Sequence, residues 1–296
     1  MNLRTHTEYE ASLKSIETEN YFDRIFFRPV GFLIAKLLIK TCITPNTITI
    51  ISIFIGAAAG PLFYFEKIHY TLSGIICLII ANILDCVDGQ LARLTDKKSN
   101  IGRILDGLAG DIWFGVIYIF LSLRLKNEFN TWLFFIPAIL SALSHFVQAN
   151  ITDYYKTLHL LFVSKEKGQE FQNLDEIRSQ YKNTKPGYRK ALLYIYSIYT
   201  SLQEAVTPRL QQMLKHLHAT YGDDIPDDIR MDFRRQSKRL MKQFIDSMTF
   251  NGRVVILIIA VLNGLVWLYF LYEIIILNLI LVISIYQHEK ICSKYI

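Results

Sequence analysis

Four aspartates crowd the stretch LDCVDGQLARLTDKKSNIGRILDGLAGD, and Asp85, Asp88, Asp106 and Asp111 each stand at or inside the end of an apolar segment. A carboxylate so placed is costly unless it is paired or bound to metal, so each reads as functional. Asp85 and Asp88 are three residues apart and share a helix face, which Gly89 and Ala92 continue. Two small residues beside two acids leave room for a bulky ligand against the backbone, and Arg93 follows where it can pair with a phosphate. Further on, Gly102 and Asp106 are four residues apart and share a face of the next helix. Carboxylates from two facing helices then converge on one site. Their all-oxygen donors select a hard divalent cation, Mg²⁺ or Mn²⁺, over zinc.

Other polar residues give weaker signals. Asn82, one turn before Asp85, suits either orienting that carboxylate or hydrogen bonding between helices. His145, Gln148 and Asp153 fall along one later segment and suit either an acceptor pocket or polar helix packing. Arg103, Arg253 and Lys290 lie at helix ends, where they suit docking of an acceptor phosphate or plain interfacial anchoring. Cys42, Cys77, Cys86 and Cys292 form no zinc spacing and read as small buried hydrophobes.

The elements that must hold these residues are membrane spans. Of 296 residues, 52% are hydrophobic and only 20% charged, below the roughly 25% charge of soluble domains. Apolar runs near the bilayer-spanning length of about 20 residues cover 47–65, 71–84 (continuing as helix towards Arg93), 104–123, 132–147, 254–271 and 274–286, the last two divided by Glu273. The fold expected is all-α and polytopic, with six transmembrane helices. Lys and Arg cluster before the first span, in the loop of Lys97, Lys98 and Arg103, in the stretch after the fourth span, and in the tail with Lys290 and Lys294. Both termini and that loop are therefore expected on the cytoplasmic side.

Four segments result. Residues 1–46 form an N-terminal cytoplasmic segment, read as an interfacial helix that rests Tyr21, Phe22, Ile25 and Phe26 on the membrane rather than as a cleaved leader. Residues 47–150 hold the first four spans and the aspartates, and 251–296 the last two spans and the tail. Between them, 151–250 reads as a helical cytoplasmic insertion. Its helices run from Tyr188 towards His218, with a kink at Pro208, and from Pro226 to Met248; residues 164–185 read as a loop. The second helix alternates Arg230, Arg234, Arg235, Lys238 and Arg239 with Met231, Phe233, Leu240, Phe244 and Ile245, the pattern of an amphipathic helix lying on a membrane. The net charge of +6 suits an anionic leaflet and anionic substrates. Nucleic acid is a poor match, because the insertion's cations are interleaved with nearly as many acids.

At the aspartates the sequence resembles the CDP-alcohol phosphotransferase family. Its signature is two aspartates separated by two residues, then Gly, two residues, Ala-Arg, eight residues, Gly, three residues, Asp, three residues, Asp. Seven of the eight positions match here: Asp85, Asp88, Gly89, Ala92, Arg93, Gly102 and Asp106. Thr44-Pro45-Asn46-Thr47 also looks like the loop that opens the family's first span, which adds Asn46 to the nucleotide-binding residues. The resemblance implies two metal ions, with Asp85, Asp88 and Asp106 as ligands and Gly89, Ala92, Arg93 and Gly102 as the nucleotide set. It also implies an integral enzyme of phospholipid biosynthesis in the inner membrane, its active site facing the cytoplasm, and a homodimer. The donor is a CDP-alcohol such as CDP-diacylglycerol. The expected reaction passes its phosphatidyl group to a small polar alcohol and releases CMP; the alternatives are phosphoalcohol transfer from a soluble CDP-alcohol to a lipid hydroxyl, or a catalytically impaired scaffold.

The eighth position departs from the pattern, with Gly110 where the family has Asp and Asp111 one residue later. The family's last aspartate acts as metal ligand and as general base, and Asp111 is the nearby candidate for both roles. Five residues beyond Asp106 a helix has turned about 140°, against about 40° for four. A one-residue π-bulge eased by Gly107 and Gly110 is expected to swing Asp111 into the cluster; in a regular helix it would face elsewhere.

Overall fold

The computed structural model describes residues 3–97, 100–163, 171–222 and 224–296. Lys98 of the basic loop and residues 164–170 lie outside them. In chain order the α-helices are α1 (Leu3–Ser12), α2 (Arg28–Leu38), α3 (Pro45–Tyr64), α4 (Ile68–Leu94), α5 (Asn100–Phe129), α6 (Phe135–Val163), α7 (Leu174–Asn183), α8 (Tyr188–Val206), α9 (Pro208–Tyr221), α10 (Asp227–Met248), α11 (Phe250–Leu262), α12 (Val266–Leu271) and α13 (Leu277–Cys292). Short 3₁₀ and π turns join some of them, and among the described residues there is no strand. Six helical stretches are long and apolar enough to cross a bilayer: Pro45–Tyr64, Ile68–Leu94, Gly102–Phe129, Trp132–Val163, Asp227–Leu262 and Val266–Tyr295. This is the all-α, six-span integral membrane architecture that the apolar runs predict.

The chain divides into two compact units, Met1–Val147 with Thr249–Leu277, and Gln148–Met248 with Asn278–Ile296. In the first unit α3 packs against both α4 and α5. Close approach is possible because α3 presents glycines: a Cβ on Gly56 would lie 2.5 Å from the Trp113 ring, and one on Gly60 3.1 Å from the Val116 backbone. Small residues are how membrane helices bring their backbones together. Around that contact Phe63, Leu78, Phe114, Tyr118, Leu257 and Tyr269 form the core. The same unit buries an ion pair, Arg253 to Glu273 at 2.5 Å, with Tyr269 donating to the second Glu273 oxygen at 2.7 Å.

The last two spans divide earlier than the sequence reading places them. The break falls at Asn263–Leu265, and Glu273 sits in a π turn (Tyr272–Ile276) within a continuous helical run. Gly264 has φ +70°, and the Leu265 and Gly264 amides bond back to Ala260 and Val261. That is a Schellman stop, which only a residue free to adopt left-handed backbone forms cheaply. Glu273 did not break the helix because Arg253 and Tyr269 satisfy its carboxylate.

In the second unit α8 and α9 meet at Thr207, with Pro208 opening α9, as the proline predicts. The Glu289 carboxylate caps α9 by accepting from the Arg209 and Leu210 amides, at 2.6 and 3.2 Å. Residues 174–183, expected to be loop, form α7. Asn173 caps it by accepting from the Glu176 amide at 2.9 Å, and Asp175 and Glu176 favour the helix N-terminus. The amphipathic reading of α10 is also corrected in part. Phe233, Leu240 and Met241 are buried in the protein, with Phe233 stacked on Phe162 at 4.0 Å, rather than laid on a bilayer, while Met231 is exposed. The side chains of Phe244 and Ile245 lie outside the described residues.

Candidate functional site

The C-terminal part of α4 and the N-terminal part of α5 bring three carboxylates together. Asp85, Asp88 and Asp106 each offer an oxygen, and these lie within 4.8 Å of one another. Asp88 is buried, Asp85 half-buried and Asp106 exposed, so the group opens to one side. Three carboxylates this close repel one another strongly in a low-dielectric setting unless a cation neutralises them. The donor set is all oxygen, so it fits a hard divalent ion such as Mg²⁺ or Mn²⁺.

A third helix contributes a residue that the motif reading missed. Thr49 on α3 donates its hydroxyl to Asp88 Oδ2 at 2.5 Å, in a fully buried contact. It lies three residues after Asn46, on the same face of the helix opened by Thr44, whose Oγ1 accepts from the Thr47 amide at 3.3 Å. A threonine one turn beyond the family-like loop was the available signal. Asn46 itself is half-buried in the first turn of α3.

Gly89, Ala92 and Arg93 occupy the last turns of α4, and Gly102 the first turn of α5. A Cβ on Gly89 would stand 3.2 and 3.6 Å from the two terminal nitrogens of Arg93, so the glycine makes room for the guanidinium as well as for any ligand. The Arg93 Nε donates to the backbone carbonyl of Ser12. Asn82 does not orient Asp85 as one reading had it: its amide nitrogen is buried and makes no hydrogen bond among the described residues.

Asp111 does not join the three aspartates. Helix α5 is regular through 106–111, so the bulge expected from Gly107 and Gly110 is absent. The regular helix leaves Asp111 facing His145 instead. Its Oδ1 lies 3.7 Å from His145 Nε2, too far for a hydrogen bond, and Tyr118 Oη lies 3.2 Å from the other ring nitrogen, with the Phe114 ring tilted against the imidazole at 4.5 Å. His145 is thus buried beside Asp111. Gln148 donates to Asn278 at 2.7 Å, and Asp153 is exposed. Arg253 is committed to Glu273, while Lys290 is exposed at the end of α13. Arg103 is half-buried in the first turn of α5.

Comparison with known proteins agrees with this geometry. Residues 42–167 match the model of the CDP-alcohol phosphatidyltransferase family. An archaetidylinositol phosphate synthase of Pyrococcus horikoshii is 44% identical over 73 residues, covering 25% of this chain and 37% of the relative. A CDP-diacylglycerol–serine O-phosphatidyltransferase of Mycobacterium tuberculosis is 35% identical over 74 residues, 25% of each protein. One from Helicobacter pylori is 40% identical over 73 residues, 24% of this chain and 29% of the relative. The chain therefore aligns with between a quarter and two-fifths of the length of these relatives. The matched segment contains all three clustered aspartates together with Thr49 and Arg93, and over residues 42–167 the chain is similar to the CDP-alcohol phosphatidyltransferase family.

Proposed function

We propose that this protein is a divalent-metal-dependent transferase that moves a phosphatidyl group from CDP-diacylglycerol to a small polar alcohol, releasing CMP. The observation that carries the reading is the convergence of Asp85, Asp88 and Asp106 from two helices, at the spacing shared with the family. The choice of a lipid donor is supported by relatives whose names specify CDP-diacylglycerol. The site lies at the cation-rich side of the spans, which the positive-inside rule assigns to the cytoplasm and, in a bacterial cell, the inner membrane.

Asp85, Asp88 and Asp106 would hold the metal, and Asp111 stands outside that set. When bound, divalent ions supply charge neutralisation to the pyrophosphate and to the departing CMP. The residues of this chain do the rest of the positioning. Thr49 donates to one Asp88 oxygen and so holds that carboxylate's orientation. Gly89 and Ala92 keep the α4 wall low where a nucleotide approaches, and Arg93 presents its terminal nitrogens over Gly89 for a phosphate. Asn46 and Gly102 complete the nucleotide side. A second copy of the chain is the partner that the family resemblance suggests.

The test is CMP release by purified protein with Mg²⁺, from radiolabelled CDP-diacylglycerol or CDP-choline, against a panel of acceptors. Release from CDP-diacylglycerol, abolished by EDTA and restored by Mg²⁺ or Mn²⁺, is expected. Asp85→Asn, Asp88→Asn and Asp106→Asn should each abolish it while the protein stays folded in detergent. Turnover of CDP-choline alone would move the reading to phosphoalcohol transfer onto a lipid, and no turnover of either would leave a membrane scaffold.

A further inference from the structure

The N-terminal segment leaves Tyr21, Phe22, Ile25 and Phe26 exposed, while its polar contacts point into the protein. Helix α1 is tied to α2 by Lys36 to Glu8 at 2.7 Å and by an edge-to-face contact of Tyr9 with Phe32 at 5.3 Å. Its last residue, Ser12, is fully buried. The Ser12 hydroxyl donates to the Tyr9 carbonyl at 2.6 Å and accepts from Gln90 Nε2 at 3.1 Å. Gln90 is fully buried too, and the same amide nitrogen reaches the Arg28 carbonyl at 3.2 Å. Farther along, Arg28 forms a two-pronged pair with Glu19, at 3.0 and 2.9 Å, and Asp23 accepts from Asn251 on α11 at 2.8 Å. Residues 8–28 are therefore strapped to α2, α4 and α11 by side chains outside the family signature.

The strap meets the signature at Arg93. Its Nε donates to the Ser12 carbonyl, one of the C-terminal carbonyls that α1 cannot satisfy internally. A guanidinium held by Nε is fixed in rotation, and this one turns its terminal nitrogens towards Gly89. An arginine on a flexible stem otherwise loses considerable rotamer entropy when it grips a phosphate. Gln90, on the signature helix itself, faces the strap and holds Ser12 in place.

We propose that residues 8–28, acting through Ser12 and Gln90, are a positioning element of the donor site that pre-orients Arg93 for the pyrophosphate of the nucleotide. This rests on the transferase reading for its substrate, although the orientation of Arg93 is testable without turnover. Two variants of the full-length protein separate the possibilities. Gln90→Met keeps the side-chain length but removes the amide, and the double variant Glu8→Ala/Tyr9→Ala loosens α1 without touching α4. Arg93 modification by phenylglyoxal, followed by mass spectrometry with and without CDP, reports on its freedom. Steady-state kinetics reports on its use.

Both variants are expected to raise KM for the CDP-alcohol about tenfold, roughly the worth of 1.4 kcal/mol, with kcat little changed, the mark of lost binding common to ground and transition states. Arg93 should be modified faster in each, with CDP still protecting it. Unchanged KM together with unchanged Arg93 reactivity overturns the proposal. So does a fall in kcat and thermal midpoint at constant KM, which marks a strap that only stabilises the fold. If the wild-type protein turns over no CDP-alcohol, the transferase reading fails, and the modification rates alone decide whether the strap orients Arg93.

Discussion

In the regular helix α5, the position that shares a face with Asp106 is Gly110, while Asp111 has rotated by about 140° towards His145. A Cβ at Gly110 would meet nothing within 4 Å, so an aspartate there has room. Asp111→Asn is accordingly expected to leave CMP release within about threefold of wild type (under 1 kcal/mol), whereas Gly110→Asp should raise it by supplying a carboxylate on the cluster's face. Loss of turnover by orders of magnitude in Asp111→Asn would return that residue to the reaction centre. Thr49 makes a second case at this scale. Thr49→Val keeps the shape and removes the hydroxyl that Asp88 uses, so turnover should drop about tenfold, with roughly 1–2 kcal/mol lost in stability. Wild-type kinetics in that variant would show that Asp88 needs no such partner.

Among the elements, α3 decides how near α4 and α5 can approach the shared site. It does so through absent side chains rather than present ones, since Trp113 fills the space beside Gly56, and Val116 that beside Gly60. Gly56→Leu or Gly60→Leu is expected to lower the thermal midpoint in detergent by an amount corresponding to about 1–3 kcal/mol, the usual cost of overpacking. CMP release should fall with it, because Thr49 rides on the same helix as both glycines. A variant of normal midpoint would mean that α3 shifts outward at little cost. The turn at Asn263-Gly264 was open to reading as a stop signal, but the charge at Glu273 took precedence over it. A charge breaks a span only when nothing inside the protein pairs with it.

At the scale of the whole molecule, the buried Arg253–Glu273 pair joins α11 to the last helical run, two parts of the first compact unit. Removing one partner strands a charge, so Arg253→Met should cost about 3–5 kcal/mol. The double variant Arg253→Met/Glu273→Leu, with no charge left over, should recover much of that. Equal midpoints for the single and double variants would show that the pair contributes nothing as a pair. Arg253, at a helix end that suits an acceptor phosphate by sequence alone, is instead buried and paired with Glu273. Its number of neighbours, not its type, decided this.

The sequence by itself determined the number of spans, the helical class and the three aspartates that meet. Each depends on local periodicity: apolar runs have a length the bilayer imposes, and a carboxylate three or four residues from another on one helix must share its face. It also carried the resemblance to the family signature, which lies in the residue types and their steps along the chain. Only the tertiary structure decided which polar groups find partners far along the chain. Thr49 is turned to Asp88, Arg253 to Glu273, and Arg93 to the carbonyl of Ser12. Such pairings have no period to be read. In an apolar interior any buried polar group that can reach a partner is driven to do so by the cost of leaving it unmade, and reach is a property of the packed helices, not of the spacing along any one of them.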